Sequence, residues 1–308
     1  MKNILVASKT SRVGMREEEL KKLFIDHGLN PTFKRLKDCD DQLQEYEGIV
    51  IGTECIEAKH IDRAKKLKVI IKFGVGTDNI DRGAAEKRHV KVLNMPGINS
   101  YAVAEMALSL MLCVSRRVAE GDRNIRGNLW PGLIGRSPRN KTLGIIGTGS
   151  IGRELSKLVT GFDMKIIGYD IVKNEEFKHL GGRYVERDGL FKVSDYISIH
   201  VPLNQYTYHF VGERELSLMK ESAIILNTSR GGIIDESALY NALQRKQILG
   251  AGLDVLEFEP PNESPLLKLD HVVFTPHIAA YDYETLRNMN YTCAYRLKKE
   301  LEQQNLIV

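Results

Sequence analysis

The stretch Leu143-Gly144-Ile145-Ile146-Gly147-Thr148-Gly149-Ser150-Ile151-Gly152-Arg153 decides the fold, because a short apolar run leads directly into Gly-x-Gly-x-x-Gly. This order predicts a strand, a tight turn and a helix. Gly147 permits the turn, Gly149 lets the backbone approach a ligand closely, and Gly152 lets the helix pack on the strand. The first turn of such a helix presents unpaired N–H groups to an anion. The stretch therefore predicts a binding site for the pyrophosphate of a dinucleotide.

An acidic residue follows the next predicted strand. The run Met164-Lys165-Ile166-Ile167-Gly168-Tyr169 ends in Asp170, about twenty residues beyond the glycine turn, where a carboxylate holds the ribose of a bound dinucleotide. Glycines that served only a strand-to-helix turn would explain neither this acid nor its spacing. Asp170 would accept hydrogen bonds from both ribose hydroxyls and repel a 2′-phosphate, and no arginine follows in Ile171-Val172-Lys173. We therefore expect NAD rather than NADP as cofactor.

The composition excludes several classes of protein. A chain of 308 residues suffices for two domains of roughly 100 to 200 residues each. Its 44 lysines and arginines are scattered against 40 acids, and a net charge of +4 favours neither nucleic acid nor a membrane surface as partner. The cysteines lie far apart, which argues against a disulfide framework or a zinc site and fits a reducing compartment: Cys39, Cys55, Cys113 and Cys293. We expect a cytoplasmic protein without a metal, a signal peptide or a membrane span.

Short apolar runs alternate with helical patterns along most of the chain. Before the glycine turn, the predicted strands are Ile4 to Ala7, a segment near Phe33, Gly48 to Gly52, Val69 to Ile71 and Lys91 to Leu93. The predicted helices between them are Met15 to His27, Ile56 to Leu67 and Asp81 to Arg88. After Asp170 the predicted strands are Tyr196 to His200, Ala223 to Leu226, Gly250 to Leu253 and Val272 to Phe274. This alternation predicts an α/β fold in which helices cover both faces of parallel sheets.

The segment that joins the two halves carries a different pattern. Val103 to Arg117 is apolar on most sides, which is typical of a helix buried between layers. From Asp122 to Lys141 glycine and proline recur, and this predicts a long irregular connection that wraps the nucleotide domain. We expect Trp130 to be a packing anchor there rather than a ligand contact, because tryptophan most often serves burial. At the far end, Tyr283 to Gln303 predicts a helix whose apolar stripe packs on the first hundred residues.

Three polar clusters follow predicted strands, at the carboxyl ends where open α/β sheets bind their ligands. They are Asn227 to Gly232, Asp254 to Pro261 and Thr275 to Ala280. Together they supply Arg230, Glu259 and His277: a cation for a substrate carboxylate, an acid that poises a base, and a base for a hydroxyl proton. Taken singly, these are more simply explained as a surface arginine, a loop charge and a core imidazole. Their joint position beside a dinucleotide site favours hydride transfer to or from a hydroxy acid.

The glycine turn and these three clusters resemble the D-isomer-specific 2-hydroxyacid dehydrogenases, and the resemblance covers nearly the whole chain. Within that family, the match is closest to phosphoglycerate dehydrogenases without a regulatory C-terminal domain. It implies a Rossmann-type doubly wound parallel sheet as the NAD-binding domain, residues 100–281, and a smaller flavodoxin-like α/β substrate domain, residues 1–99 and 282–308. It also implies a homodimer formed through the helix from Val103 and the segment around Trp130, acting on a small-molecule 2-hydroxy or 2-oxo acid.

The resemblance assigns roles to individual residues. The family's catalytic arginine, glutamate and histidine correspond to Arg230, Glu259 and His277. Its cofactor contacts correspond to Gly147, Gly149, Ser150, Ile151, Gly152, Asp170, Val201, Thr228, Asp254, Ala279 and Ala280. Its substrate contacts correspond to Thr53, Val75, Gly76 and Asn99, together with Arg230. Val75 and Gly76 belong to Lys72-Phe73-Gly74-Val75-Gly76-Thr77-Asp78-Asn79-Ile80-Asp81, which matches the substrate-domain loop of the family.

Two positions depart from the family pattern. Gly52-Thr53-Glu54-Cys55 stands where phosphoglycerate dehydrogenases often have Arg and Ser, and an acid there should repel a phosphate. The substrate therefore stays open between 3-phosphoglycerate with its oxo acid and a non-phosphorylated acid of the hydroxypyruvate or glyoxylate type. Ala279 replaces the usual Gly, and its methyl group would narrow the nicotinamide pocket or change nothing. The function also stays open to a non-catalytic NAD-sensing protein, since the fold resembles a corepressor family too, and to a relative that oxidises formate or phosphite.

Overall fold

The computed structural model of the chain describes residues 1–261 and 263–305. They form two compact units: Met1–Asn99 with the C-terminal segment that begins at Tyr281, and Ser100–Ala280. Each unit is built on one parallel sheet with apolar clusters on both faces, so the predicted α/β fold is confirmed. Residues 306–308, at the end of the predicted substrate domain, lie outside the described residues.

The sheet of the smaller unit has five strands within the described residues. They are β1 (Lys2–Val6), β2 (Leu29–Phe33), β3 (Gly48–Ile51), β4 (Val69–Lys72) and β5 (Lys91–Leu93). They pair in the order β2-β1-β3-β4-β5, and every pair is parallel. This is the strand order of flavodoxin-like sheets, so the expected fold class of this unit is confirmed.

Helices bury both faces of this sheet. They are α1 (Glu17–Asp26), α2 (Ala58–Arg63), α3 (Arg82–Lys87) and the C-terminal helix, Tyr283–Asn305. Ile4 and Val6 pack in one apolar cluster with α1 and the C-terminal helix, whereas Leu5 packs in the other with α2 and α3. Successive residues of a strand point to opposite faces, so the continuous apolar run of β1 serves two cores at once.

The sheet of the larger unit has seven strands among the described residues. They are β6 (Thr142–Ile146), β7 (Lys165–Tyr169), β8 (Arg183–Tyr184), β9 (Tyr196–Ile199), β10 (Ile224–Asn227), β11 (Gly250–Leu253) and β12 (Val272–Phe274). All pairs are parallel, in the order β12-β11-β10-β9-β6-β7-β8. Counted from β6, this is the 3-2-1-4-5-6 order of dinucleotide-binding sheets with one strand added at an edge. The order reverses between β6 and β9, which places the expected ligand crevice there.

The helices of the larger unit complete its layers. They are α4 (Ser100–Ser115), α5 (Val118–Arg126), α6 (Ser150–Leu158), α7 (Glu175–His179), α8 (Arg187–Val193), α9 (Glu213–Leu218) and α10 (Glu236–Gln244). Ala104, Ala107 and Met111 of α4 are fully buried, because α4 packs both on the sheet and on α6. No helix in the described part of the chain combines the length and the apolar composition that crossing a membrane requires.

The connection between α4 and β6 corrects two predictions. The irregular segment begins at Gly127 rather than at Asp122, because α5 continues to Arg126, whose guanidinium pairs with the Asp122 carboxylate at 2.8 Å. Trp130 is 89% exposed, so its prediction as a packing anchor within the chain is wrong. Ile134, in the same segment, is 90% exposed. The segment thus presents large apolar side chains to the solvent instead of covering the sheet.

Candidate active site

The glycine turn connects β6 to α6. Gly147 has φ +94°, and a Cβ built on it would lie 2.6 Å from the carbonyl oxygen of His200, so only glycine fits this turn. A Cβ on Gly152 would lie 2.4 Å from the carbonyl oxygen of Gly147, which shows how closely the first turn of α6 packs on the loop. His200 follows β9, the neighbour of β6 in the sheet. The turn therefore lies at the point where the strand order reverses.

The residues around this turn fit a dinucleotide. Nothing lies within 4 Å of the place that a side chain on Gly149 would occupy, so the backbone there faces open space. Gly149 and Ser150 are exposed, and within the described residues neither Ser150 nor Ile151 uses its N–H in a hydrogen bond. The first backbone bond of α6 runs from Arg153 to Gly149. Free N–H groups at the start of a nine-residue helix suit a pyrophosphate.

Asp170 directly follows β7 and reaches back to the glycine turn. Its carboxylate accepts hydrogen bonds from the backbone N–H of Thr148 at 2.7 Å and of Val172 at 3.1 Å. Asp170 is half-buried, so part of the carboxylate stays open to a ligand. The structure thus brings the predicted ribose acceptor and the predicted pyrophosphate turn together.

Val201 and Thr228 follow the neighbouring strands β9 and β10. The hydroxyl of Ser229 donates to the carbonyl oxygen of Val201 and ties these two loops together. The hydroxyl oxygen of Thr228 is buried and has no hydrogen-bond partner in the described part of the chain. An orphaned buried hydroxyl at the carboxyl edge of the sheet suits a polar ligand group, and both residues stay predicted cofactor contacts.

His277 and Glu259 form a hydrogen-bonded pair. Nδ1 of His277 lies 2.7 Å from Oε2 of Glu259, while the other oxygen, Oε1, accepts the N–H of Leu256 at 3.2 Å. The carboxylate accepts and cannot donate, so Nδ1 carries the hydrogen, and the Nε2 of a neutral ring is left as an acceptor. Both side chains line a cavity of about 370 Å³, so a ligand can reach them.

The loop that carries His277 is held by Asp254, an arrangement that the sequence did not reveal. Asp254 is 1% exposed, and its Oδ1 accepts the hydroxyl of Thr275 at 2.5 Å and the N–H of Ile278 at 2.9 Å. Its Oδ2 accepts the N–H of Ala279 at 2.8 Å. The carbonyl of Asp254 also accepts the N–H of His277 at 2.8 Å. Asp254 is therefore a brace for this loop, and its predicted contact with the carboxamide of NAD stays a prediction.

Arg230 follows β10 on a loop that packs tightly on the Glu259 loop. A Cβ on Gly231 would lie 1.9 Å from the carbonyl carbon of Leu256, so glycine is required for the two backbones to touch. The carbonyl of Arg230 accepts the side-chain amide of Asn227 at 2.8 Å, and its guanidinium donates to the carbonyl of Ser229 at 2.7 Å. The charge of this guanidinium contributes to lowering the pKa of the Glu259 carboxyl.

Burial and charge move the pKa values of the acids in opposite directions. Burial alone would raise the pKa of Glu259, but the hydrogen bond and charge of His277, with the charge of Arg230, outweigh it and lower that pKa below its usual value. The pKa of Asp254 is raised, because burial outweighs the donors from Thr275 and the loop N–H groups. Burial also lowers the pKa of His200 to about 3, so that ring is neutral. Glu259 is thus the carboxylate that stays charged beside a histidine.

In the smaller unit, the predicted substrate residues lie on loops after β3 and β4. Thr53 is exposed, and Val75 and Gly76 are half-buried. Within the described residues, the N–H groups of Val75 and Gly76 donate no hydrogen bond, whereas the carbonyl of Val75 accepts the amide of Asn94 at 2.7 Å. Both N–H groups are therefore available to a carboxylate, and the two residues stay predicted substrate contacts. Asn99, farther along the chain, has a buried Oδ1 without a partner in the described part of the chain.

A buried lysine joins these two loops, and the sequence did not reveal this either. Lys72 is 8% exposed, and its ammonium donates to the carbonyl of Gly52 and to Oδ1 of Asn79 at 2.8 Å. The amide of Asn79 donates in turn to the carbonyls of Gly52 at 3.0 Å and of Glu54. Lys72 and Asn79 therefore fix the loop of Thr53 against the loop of Val75 and Gly76.

The chain is similar to known proteins over most of its length. The sequence profile described as the NAD binding domain of the D-isomer specific 2-hydroxyacid dehydrogenases matches residues 108–279. The chain is 42% identical to a glyoxylate reductase of Korarchaeum cryptofilum, over 83% of this chain and 78% of that protein. It is 40% identical to a D-3-phosphoglycerate dehydrogenase of Archaeoglobus fulgidus, over 80% of this chain but 48% of that protein.

A solved structure agrees at the level of the whole fold. The crystal structure of D-lactate dehydrogenase from Aquifex aeolicus, complexed with NAD and lactic acid, superimposes with a TM-score of 0.85. The two chains are 29% identical, and the match covers 98% of this chain and 97% of that one. Fold, glycine turn and relatives point the same way: the chain belongs to the D-isomer specific 2-hydroxyacid dehydrogenase family and is an NAD-dependent oxidoreductase.

Proposed function

We propose that the protein interconverts a small, non-phosphorylated D-2-hydroxy acid and its 2-oxo acid, of the hydroxypyruvate or glyoxylate type. The observation that carries the chemistry is the 2.7 Å hydrogen bond between His277 and Glu259, on whose carboxylate the charge of Arg230 also acts. These are the proton carrier, its anionic partner and the cation that the reaction requires. Bound NAD supplies the nicotinamide ring that accepts or donates the hydride.

His277 is the proposed acid and base. With Nδ1–H donated to Glu259, the Nε2 of the neutral ring takes the hydroxyl proton during oxidation. During reduction, the imidazolium returns a proton from Nε2 to the carbonyl oxygen. The Glu259 carboxylate holds the ring in one orientation and stabilises its charged form in both directions. Its lowered pKa keeps it ionised through the neutral range.

The substrate carboxylate is assigned to Arg230. Its planar guanidinium can make two parallel hydrogen bonds to a carboxylate. Val75 and Gly76 stay substrate contacts that the family resemblance implies, and their N–H groups donate no hydrogen bond within the described residues. Thr53 and Asn99 remain proposed contacts for the rest of the substrate.

The substrate class rests on the loop after β3. Glu54 is half-buried there, and its Oε2 is buried without a partner among the described residues. Burial raises the pKa of this carboxyl. Ionised, it repels a phosphate; protonated, it offers a single O–H donor, which cannot replace the fork of an arginine. The relative named as a glyoxylate reductase supports a small oxo acid as substrate. Because another relative is named as a phosphoglycerate dehydrogenase, the phosphorylated substrate has to be tested as well.

A substrate panel tests this proposal. NADH oxidation would be followed with glyoxylate, hydroxypyruvate, pyruvate and 3-phosphohydroxypyruvate at equal concentrations, with wild type and with Glu54→Gln. We expect the highest kcat/KM with glyoxylate or hydroxypyruvate, and a preference over the phosphorylated acid that shrinks in Glu54→Gln. A wild-type enzyme that prefers 3-phosphohydroxypyruvate would contradict the proposed substrate class. Absence of turnover with all four acids would contradict the proposed reaction.

We also propose that the protein is a homodimer whose interface includes α5 and residues 127–141. The support is exposed apolar side chains concentrated on these segments: Val118, Ile125, Leu129, Trp130 and Ile134. Patches of this kind mark protein interfaces, and a second copy is the partner that the family resemblance implies. The cytoplasmic location stays a prediction.

Sedimentation of wild type and of Trp130→Asp tests the dimer. We expect a dimer for wild type and a shift to monomer for the variant, because a charge in the centre of an apolar interface is costly. Ile171→Asp is the matched control, since Ile171 is 92% exposed but lies outside these segments. A wild-type monomer at micromolar concentration would contradict the proposal.

A further inference from the structure

A line of hydrogen bonds runs from the carboxylate of Asp170 through Thr148 of the glycine turn to Tyr184 in β8. Oδ2 of Asp170 accepts the N–H of Thr148 at 2.7 Å and also its hydroxyl at 3.2 Å. The oxygen of that hydroxyl lies 2.6 Å from the hydroxyl of Tyr184 in β8. The Tyr184 oxygen in turn accepts the backbone N–H of Asn174 at 2.7 Å. Asp170 is thus connected to the loop before α7 through two side-chain hydroxyls.

The direction of each hydrogen bond follows from the two ends of this line. A backbone N–H can only donate, so the Tyr184 oxygen accepts from Asn174. A carboxylate can only accept, so the Thr148 hydroxyl donates to Asp170. The Tyr184 hydroxyl must therefore donate to Thr148. All donors point the same way, and hydrogen bonds aligned in this way strengthen one another in a low-dielectric setting.

The line is anchored in the rigid part of the larger unit. Thr148 is 1% exposed, and the ring of Tyr184 packs on Phe177 with 5.1 Å between ring centres. The side chain of Asn174 caps α7 by accepting the N–H of Glu176 at 2.9 Å. A hydroxyl at position 148 is therefore fixed on one side by the turn and on the other by α7.

Most of the hydrogen-bond acceptor positions of the Asp170 carboxylate are already occupied. A carboxylate has about four lone-pair positions, and donors from Thr148 and Val172 fill three of them. The remaining position is on Oδ1, so the carboxylate has room for one ribose hydroxyl rather than for the two expected from the sequence. A ribose hydroxyl can donate there only while the carboxylate keeps this orientation. A 2′-phosphate cannot donate there and meets the negative charge directly.

We propose that Thr148 and Tyr184 are positioning residues for the choice of NAD over NADP: their hydroxyls hold Asp170 in the orientation that accepts a ribose hydroxyl and repels a 2′-phosphate. Neither hydroxyl needs to touch the cofactor. Without them the Asp170 side chain can rotate, lose its ribose hydrogen bond and move its charge away from the 2′ position.

Tyr184 has a second effect, through its ring. Lys173, the first cation after Asp170 in the sequence, places its ammonium 6.0 Å from the centre of the Tyr184 ring. A cation at that distance is attracted to the ring face. Loss of the ring therefore removes an attraction that favours the present position of Lys173, whereas loss of the hydroxyl alone does not.

Direct binding of the two reduced cofactors tests the proposal without reference to turnover. Dissociation constants for NADH and NADPH would be measured by calorimetry for wild type, Thr148→Val, Tyr184→Phe and Tyr184→Leu. For Thr148→Val we expect NADH to bind about three- to tenfold more weakly and NADPH to change by less than about twofold. Tyr184→Phe should shift the ratio of the two dissociation constants in the same direction. Tyr184→Leu should in addition strengthen NADPH binding, because the loss of the ring releases Lys173.

Several variants separate positioning from general damage to the turn. Thr148→Ser keeps the hydroxyl and should restore the wild-type ratio of the two dissociation constants. The double variant of Thr148→Val and Tyr184→Phe should be no worse than Thr148→Val alone, because both break the same line. Thr160→Val, at an exposed threonine of the same unit, should change neither constant. An unchanged ratio in both Thr148→Val and Tyr184→Phe, or an equal weakening of both cofactors, would overturn the proposal.

Discussion

Nδ1 of His277 and Oε2 of Glu259 lie 2.7 Å apart, on loops that follow β12 and β11, two neighbouring strands of the larger sheet. The two residues are eighteen positions apart in the chain, so it is the sheet that makes them neighbours. Asp254 braces the histidine loop, and Gly231 lets the arginine loop pack against the glutamate loop. The geometry of the pair therefore depends on residues that take no part in the proposed proton transfer.

Glu259→Gln should move the pH dependence of reduction. The wild-type rate should fall as pH rises, because reduction consumes the imidazolium form of His277. The variant keeps a hydrogen-bonding group but loses the anion that pairs with the protonated ring, so the fall should begin at a lower pH. Rates with NADH at saturating oxo acid from pH 5 to 9 measure this. An unshifted profile would show that the Glu259 charge does not act on His277.

The lowered pKa of Glu259 also predicts the pH below which its contribution to stability is lost. Its folded pKa lies below the ordinary 4.5, so its contribution to stability is complete above that value and is lost as pH falls through the lower, folded pKa. The Glu259 carboxylate should therefore stay ionised and paired with His277 throughout the neutral pH range, and the pairing should be lost only in strong acid.

Arg230→Ala should damage substrate binding and turnover together. Loss of a bidentate cation leaves the substrate carboxylate without charge-assisted bonds, so kcat/KM should fall at least about 100-fold. Arg230→Lys should recover little, because a point charge cannot copy the fork. Arg245→Ala, at an exposed arginine of the same unit, is the control. Near-normal kinetics of Arg230→Lys would show that charge alone suffices.

Lys72→Met should raise KM for the oxo acid more than it changes kcat. The ammonium of Lys72 and the amide of Asn79 hold the loops of Thr53 and of Val75, which lie on the smaller unit. We expect a five- to tenfold rise in KM, roughly the effect of one lost charged hydrogen bond, with NADH affinity unchanged. Lys91→Met, at an exposed lysine on β5 of the same sheet, should leave KM alone. The loop role would be refuted by an unaltered KM in a folded Lys72→Met variant.

His200 should make the protein sensitive to mild acid. Its folded pKa is about 3 because of burial, whereas an unfolded histidine takes up a proton below about 6.5. The unfolded state therefore gains a proton first, and stability falls as pH drops from about 6.5 toward 3. Between pH 7.5 and 5 this amounts to about 2 kcal/mol. Urea unfolding at both pH values should show a smaller loss for His200→Gln than for wild type, and an unchanged loss for His179→Gln, at an exposed histidine. An equal loss in all three proteins would mean that His200 is protonated in the folded state.

Much of the fold was predictable from local pattern. The glycine turn, the acid after the next strand and the apolar strand runs follow rules that act within a few residues. Arg230, Glu259 and His277 were predictable as a set because each lies in a polar cluster that follows a strand, and the carboxyl ends of parallel strands share one edge. Pairing of Glu259 with a ring nitrogen of His277 was expected as well, and the structure contains that hydrogen bond. The bracing of these loops by Asp254 and Gly231 was beyond such reasoning, because no local rule states which loop touches which.

Three features could not be predicted from the sequence, each for a physical reason. Lys72 reads as an ordinary charged residue, and its burial becomes apparent only when the carbonyls of the neighbouring loop surround it. Thr148 reads as a filler between two glycines, yet its hydroxyl links Asp170 to Tyr184, thirty-six residues away from it in the chain. The prediction for Trp130 failed for the opposite reason: an aromatic residue suggests burial from its type alone, but its side chain is 89% exposed in this chain.

The most direct test of the account is the turnover of His277→Asn, measured together with its affinity for NADH. Because we propose proton transfer at Nε2 of His277, turnover of the oxo acid should fall about 100- to 10,000-fold. The cofactor site around Gly147 and Asp170 is untouched, so the dissociation constant of NADH should stay within about twofold of wild type. Near-full turnover by a variant that still binds NADH would contradict the account, because the proton would then travel through another group.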